Sequence, residues 1–224
     1  MIKSCIFDLD GTLFNTLNSI RYFLNKTLEQ NGIEGISVEK CKIFVGDGAK
    51  KLVERCFCLR GISDAELQKR IAETYVGDYD AHATYLTEPY DGIMQMLTGL
   101  REIGVELAII SNKPEPTVKQ VAESLTPGMF RIIRGGREGT PLKPDPTAVF
   151  EMLRELGVRP DETVYIGDTA VDMRTGKAYG AAYTVGVSWG FRDREELSTS
   201  GADIIVDTPL EILELVRWSL DCEK

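Results

Sequence analysis

The stretch Cys5-Ile6-Phe7-Asp8-Leu9-Asp10-Gly11-Thr12-Leu13-Phe14, CIFDLDGTLF, closes a short apolar run with two carboxylates spaced two residues apart, then turns at Gly-Thr. Alone, it reads equally well as a solvated turn after a buried strand or as a site that holds a metal and attacks a substrate. The neighbouring sequence decides between them. Residues 2–7 read as a buried strand, interrupted only by Lys3 and Ser4. Beyond it, Leu17, Ile20, Phe23, Leu24 and Leu28 follow one helix face. Helical patterns continue over 38–44, 50–59 and 64–85 without a clear strand, which predicts an all-helical insert over residues 15–86. Then the texture changes. Helices at 93–103, 117–125, 147–156, 171–179 and 210–220 alternate with short apolar strands at 106–110, 130–133, 163–166, 182–185 and 202–206. Such alternation indicates βαβ units and a parallel sheet, with right-handed crossovers covering both faces. The expected fold class is therefore α/β, a Rossmann-like parallel sheet core with helices on both faces. Its core comprises residues 1–14 and 87–224, and a helical cap at 15–86 is inserted after the first strand. Pro89-Tyr90-Asp91-Gly92 supplies turn residues where the chain re-enters the core.

Composition narrows the partners. A hydrophobic fraction of 43% in 224 residues supports a substantial core. Net charge −9 and a pI near 4.8 repel phosphate backbones and anionic lipids, so neither nucleic acid nor membrane is expected as a partner. The same field opposes a phosphorylated metabolite unless the site concentrates positive charge. No run approaches the roughly 20 apolar residues of a membrane span, and the N-terminus lacks a signal-peptide pattern. Cys5, Cys41, Cys56, Cys58 and Cys222 are odd in number and form no paired CxxC. The helical pattern around Cys56-Phe57-Cys58 turns those two side chains apart, so reduced thiols in a cytoplasmic protein are expected.

Polar clusters recur at strand exits. Asp8 to Thr12 follows the first strand, Ser111-Asn112-Lys113 the second, and Gly167-Asp168-Thr169-Ala170-Val171-Asp172 the strand at 163–166. Leu142-Lys143-Pro144-Asp145-Pro146 opens the helix that leads into the last of these. Each has a bland reading: a turn or cap for Ser-Asn, a surface lysine before proline, and carboxylates that favour a helix start for Asp168 and Asp172. Ligands of open parallel sheets, however, bind outside the carboxyl ends of the strands. Clusters recurring there together predict one shared crevice.

These four segments, FDLDGTLF, ISNK, LKPDP and GDTAVD, resemble the four signature motifs of the haloacid dehalogenase superfamily of aspartate-nucleophile phosphohydrolases, in order and across nearly the whole chain. The insert resembles the α-helical cap of the phosphoglycolate phosphatase and beta-phosphoglucomutase branch. One departure is Asn15-Thr16, where relatives often carry Asp-Ser or Asp-Thr; it bears on contacts between cap and core rather than on the chemistry. The resemblance implies that Asp8 is the nucleophile, forms an aspartyl-phosphate and places one oxygen on the metal. It makes Asp10 the general acid and then the general base, touching the metal through its backbone carbonyl. Asp168 would bind Mg²⁺ directly, and Asp172 would join the metal group through water or by orienting Lys143. Ser111 and the Asn112 backbone N–H would receive the transferring phosphoryl oxygens.

The physical reason for such a set is charge. An aspartate of ordinary pKa, about 3.9, is ionised at neutral pH and needs no base to become a nucleophile. Approaching a phosphate, it meets about 4 kcal/mol of repulsion per unit-charge pair at 4 Å and an effective dielectric near 20. Mg²⁺ would supply two compensating charges and Lys143 a third. An all-oxygen shell suits Mg²⁺. The single histidine, His82, lies in the insert and is expected to be structural.

Within the insert, Gly46-Asp47-Gly48 of FVGDGAKKL breaks two helical runs. It reads as a helix–helix turn or, by resemblance, as a substrate-binding loop that closes over the crevice, with Lys50 or Lys51 placed to meet a carboxylate or second phosphate. Gly135-Gly136 and Gly186-Val187-Ser188-Trp189-Gly190 are expected as core turns, with Trp189 packed in the second. The expected activity is a Mg²⁺-dependent phosphatase for a small phosphorylated metabolite, most simply 2-phosphoglycolate, in a monomer or homodimer. The alternatives are beta-phosphoglucomutase-like phosphoryl transfer, a pyrophosphatase or nucleotidase and, from a different class, a catalytically silent regulatory protein.

Overall fold

The computed structural model describes residues 1–221. Strand β1 (Ser4–Phe7) is buried throughout, and the chain then makes a short strand β2 (Phe14–Asn15) before entering the insert. Helices α1 (Leu17–Gln30), α2 (Val38–Phe44), α3 (Ala49–Leu59) and α4 (Ala65–Ala81) follow. Strand β3 (Glu88–Pro89) leads out, antiparallel to β2, with Phe14 opposite Pro89 and Asn15 opposite Glu88. The remainder alternates: α5 (Ile93–Glu102), β4 (Glu106–Pro114), α6 (Glu115–Leu125), β5 (Ile132–Gly136), α7 (Thr147–Leu156), β6 (Thr163–Gly167), α8 (Ala170–Tyr179), β7 (Tyr183–Val187), α9 (Arg194–Thr199), β8 (Ile204–Val206) and α10 (Pro209–Asp221).

The parallel sheet has six strands in the order β5-β4-β1-β6-β7-β8. Its strands are nearly continuous apolar runs because both faces are covered. Successive side chains take opposite faces, so Cys5 and Phe7 join one core cluster with Leu97, Leu100 and Ile212, while Ile6 joins the other with Val149, Met152 and Tyr165. Each such side chain contributes roughly 1.5–3 kcal/mol when fully buried. Strand order reverses at β1, whose Phe7 lies level with Ile109 of β4 and Ile166 of β6. Asp8, Ser111 and Asp168 therefore leave the sheet at nearly one height, at the switch point where α/β sheets open a crevice. The insert folds by packing α4 against α1 and α3, burying Phe23, Leu24, Phe57, Ile71 and Tyr75.

Several boundaries differ from the sequence expectation. The helix expected over 64–85 ends at Ala81, and Leu86 takes a positive φ of 53° as the chain turns into β3. His82 caps that helix and stacks on Phe23 at 5.8 Å, a structural setting. The strand expected at 130–133 pairs instead as Ile132–Gly136, and this places Gly135-Gly136 in the sheet rather than in a turn. Strand β4 continues through Pro114, so Ser111, Asn112 and Lys113 are extended. Cys5, Cys41 and Cys56 are buried, Cys58 is exposed and all four are free; Cys222 lies outside the described residues. No described helix is long and apolar enough to cross a membrane.

Candidate active site

Asp8 is still held by the sheet, since its N–H donates to the Ile166 carbonyl at 2.9 Å. The chain then winds tightly, with Leu13 and Phe14 N–H both donating to the Leu9 carbonyl at 3.1 Å. Gly11, at φ 83°, makes this possible, and a Cβ there would lie 2.3 Å from Asp168 Oδ2. Gly190 presses from the other side: its Cβ would lie 2.3 Å from Asp168 Cβ. Between these glycines Asp168 is fully buried, accepting the Thr12 hydroxyl on Oδ1 (2.9 Å) and the Phe191 N–H on Oδ2 (2.8 Å). Trp189 Nε1 donates to the Thr12 carbonyl at 3.0 Å, which ties the Trp189 loop to the same turn. Gly11→Ala combines left-handed strain with overlap, and a loss of about 3 kcal/mol is expected in urea unfolding. An unchanged midpoint would refute this account of the turn.

Lys143 occupies the centre of the charged array. Its Nζ lies 2.8 Å from both Asp8 Oδ1 and Asp172 Oδ1 and donates to the Ile110 carbonyl at 3.2 Å. Asp172 is the third residue of α8 and forms a capping box with Thr169, accepting on Oδ2 the Thr169 N–H (3.1 Å) and hydroxyl (2.6 Å). Its Oδ1 also accepts from Tyr165 at 3.2 Å. One sequence feature thus starts the helix and fixes the carboxylate that orients Lys143.

Oxygens of Asp8, Asp168 and Asp172 lie within 4.8 Å of one another. Burial, and next the Asp172 charge, push the Asp8 carboxyl up to about 7 against the opposing pull of Lys143. Asp168 is raised well above the usual carboxylate range by burial, then by Asp172 and Asp8. For Lys143, burial works to lower the value, but Asp172 and Asp8 outweigh it and hold the ammonium well above its ordinary value. Three buried carboxylates with one ammonium on two of them leave negative charge uncompensated on hard oxygen donors, and that set fits a divalent cation such as Mg²⁺.

The crevice runs between the strand ends and the insert, roofed by Leu52 of α3 and by Tyr75, Val76 and Tyr79 of α4. Ser111 and Asn112 line its floor. The Asn112 side chain joins separate segments: it donates to the Gly46 carbonyl (3.2 Å) and the Lys143 carbonyl (3.1 Å), and accepts the Lys143 N–H (2.8 Å). Gly46 and Gly48 line the crevice, whereas Asp47 pairs with Arg55 and lines an adjoining cavity. Lys50 is exposed, and Lys51 pairs with Glu54. Asp10 accepts at 2.9 Å from Lys113, a residue to which the sequence reading assigned no role. Its signal was adjacency alone: Lys113 follows Ser111-Asn112 directly, and the β4 register shifts between Ile110 and Pro114, so consecutive residues there all line the crevice. A further cross-link comes from Arg192, which donates to the carbonyls of Lys42, Ile43 (3.1 Å) and Val45 (2.8 Å) at the end of α2.

Comparison with known proteins agrees with this architecture. The family described as haloacid dehalogenase-like hydrolase matches residues 5–185. The chain is 32% identical over 206 residues to a phosphoglycolate phosphatase of Pseudomonas putida, covering 90% of this chain and 75% of that one. It is 29% identical over 216 residues to the phosphoglycolate phosphatase of Aquifex aeolicus, covering 96% and 97%. A crystal structure from Lactobacillus delbrueckii subsp. bulgaricus matches with a TM-score of 0.90 and 32% identity, covering 96% and 98%.

Proposed function

The chain belongs to the haloacid dehalogenase-like hydrolase family, and we propose that it is a Mg²⁺-dependent phosphatase that hydrolyses a small phosphomonoester, 2-phosphoglycolate foremost. One observation carries the reading: buried Asp8, Asp168 and Asp172 crowd together, and a single ammonium, Lys143, contacts two of them. That arrangement suits a nucleophilic carboxylate whose charge must be offset before it meets a phosphate. The names of the relatives favour the substrate.

In this proposal Asp8 attacks phosphorus, the ester P–O bond breaks, and Asp10 protonates the leaving oxygen. Asp10 then takes a proton from water, which attacks phosphorus and releases phosphate from Asp8. Lys143, the Ser111 hydroxyl and the Asn112 N–H bind the phosphoryl oxygens. Asp8, Asp168 and the Asp10 carbonyl would hold Mg²⁺, with Asp172 keeping Lys143 in place; the bound ion supplies positive charge against the phosphoryl group. Residues 15–86 act as a lid whose Gly46–Gly48 loop shields the crevice from water.

A Mg²⁺-supported screen of phosphate esters tests the function. Phosphate release should be fastest per KM from 2-phosphoglycolate and should vanish with chelator. Isomerisation of a hexose phosphate in the presence of glucose 1,6-bisphosphate, without phosphate release, would overturn the hydrolase assignment. The lid role makes its own prediction. Arg192→Ala removes the guanidinium that holds the end of α2, and KM should rise about tenfold with faster proteolysis at Gly46–Gly48. Unchanged KM and proteolysis would remove Arg192 from lid closure.

A further inference from the structure

We propose that Lys113 determines specificity by receiving an anionic group, a carboxylate, carried on the alcohol side of the ester. The inference rests on the phosphatase reading above and adds to it which leaving groups the site prefers. Lys113 lies near the end of β4 and lines the crevice with Ser111, its side chain only 8% exposed. Its ammonium donates to Asp10 Oδ1 at 2.9 Å and to the Tyr79 hydroxyl at 3.1 Å, and stands 4.2 Å from the Tyr79 ring centroid. An ammonium has three donors. Two are used, one on the floor and one on the roof, and the third is left for a ligand.

Among the described residues lining the crevice, Lys113 is the only cation. Lys143 is bound among the carboxylates beneath, while Lys50 and Lys51 are exposed. Asp8, Asp10 and Asp80 also line the space, and the chain as a whole carries net charge −9. An anionic leaving group would be repelled there unless a cation met it. Ile20, Val45, Leu52 and Val76 supply the apolar part of the lining.

Distance fits as well. A general acid sits about 2.6–3.2 Å from the oxygen it protonates. With Lys113 Nζ 2.9 Å from Asp10 Oδ1, the ammonium lies within about 6 Å of a leaving oxygen protonated from Oδ1 and within about 8 Å of one protonated from Oδ2. A carboxylate one carbon beyond the ester oxygen spans the gap with one charge-assisted hydrogen bond of about 2.8 Å. A leaving group with no acceptor beyond the ester oxygen leaves the third donor unsatisfied in a closed crevice, and a neutral hydroxyl meets it without the charge of a carboxylate; this is the physical source of discrimination.

The test compares kcat/KM for 2-phosphoglycolate and ethyl phosphate, which keeps its two carbons but has no acceptor beyond the ester oxygen, in wild type, Lys113→Met and Lys113→Arg. Each ratio is taken within one preparation, so it does not depend on the folded fraction. Wild type should prefer the carboxylated ester by about 100-fold, Lys113→Met by less than about threefold, and Lys113→Arg by about tenfold. The loss in Lys113→Met should fall mainly on the KM of the carboxylated ester. Equal preference in wild type, or a preference that survives in Lys113→Met, overturns the proposal. If 2-phosphoglycolate is the best ester and its advantage persists in Lys113→Met, the substrate reading stands and Lys113 serves only Asp10. If 3-phosphoglycerate is better and its advantage disappears in Lys113→Met, the role of Lys113 stands and the choice of 2-phosphoglycolate fails. No phosphate release from any ester by wild type overturns both.

Discussion

Asp8→Asn is expected to lower phosphate release by about 10⁴-fold or more, because the amide keeps the shape of the carboxylate and loses the anion that attacks. The fold should survive and, without metal, gain stability. Asp8 is buried beside Asp172, and the folded protein holds its proton up to about pH 7, well above the 3.8 of an unperturbed aspartate. Between those values the folded state binds more protons than the unfolded chain, so metal-free stability falls as pH rises from about 4 to about 7. The Asp8 share of that fall is at most about 4 kcal/mol. Urea unfolding in chelator should therefore show a shallower pH slope for Asp8→Asn than for wild type. Added Mg²⁺ should stabilise wild type more than the variant above pH 7, because the carboxylate it would meet is then ionised. Retained turnover would sink the nucleophile assignment. An identical pH slope would instead remove Asp8 from the titration.

Lys143→Met should cost both activity and stability. The ammonium is the cation in contact with Asp8 and Asp172, and Asp168 adds a third buried carboxylate nearby. Breaking a buried ion pair by removing one partner leaves uncompensated charge and costs about 3–5 kcal/mol. Loss of a phosphoryl-binding cation should lower kcat by roughly 10³-fold. The stability loss should be largest at pH 8 in chelator and smaller at pH 5, where the raised Asp8 and Asp168 carboxyls hold protons and leave less charge for the lysine to offset. Activity within tenfold of wild type, in protein whose melt is unchanged, would show that Lys143 neither offsets the carboxylates nor binds phosphate.

The residues that met in the crevice were legible because the chemistry lies next to strand exits, and strand exits are local features. Apolar runs and turn residues located β1, β4 and β6, and Asp8, Ser111 and Asp168 followed. Helices α2 and α7 were read to the residue because local signals bound them, the Ser37 cap and Gly46 around α2 and Pro146 and Gly157 around α7. What remained hidden was non-local or very short. Lys113 pairs with Asp10 across 103 residues and with Tyr79 across 34, separations that no periodicity encodes. Strand β5 slid by two residues because Gly135 and Gly136, which punctuate a sequence, join the sheet through their backbones. Strands β2 and β3 have two residues each, too few to alternate. Asp47 looked like part of a ligand loop, but its partner is Arg55, one face of α3 away.

The chain leaves the sheet domain and returns to it at directly paired residues, Phe14 with Pro89 and Asn15 with Glu88. Such adjacency makes the helical segment an exchangeable module: a different lid with ends a strand's width apart could be spliced in without rethreading the sheet. Lys113 sits on the other side of that seam, on β4. In the proposed mechanism a transplanted lid would inherit Asp8 and Lys113 but lose Tyr79, which takes one donor of that ammonium, so it would change how firmly an acidic leaving group is held as well as how large a molecule is admitted.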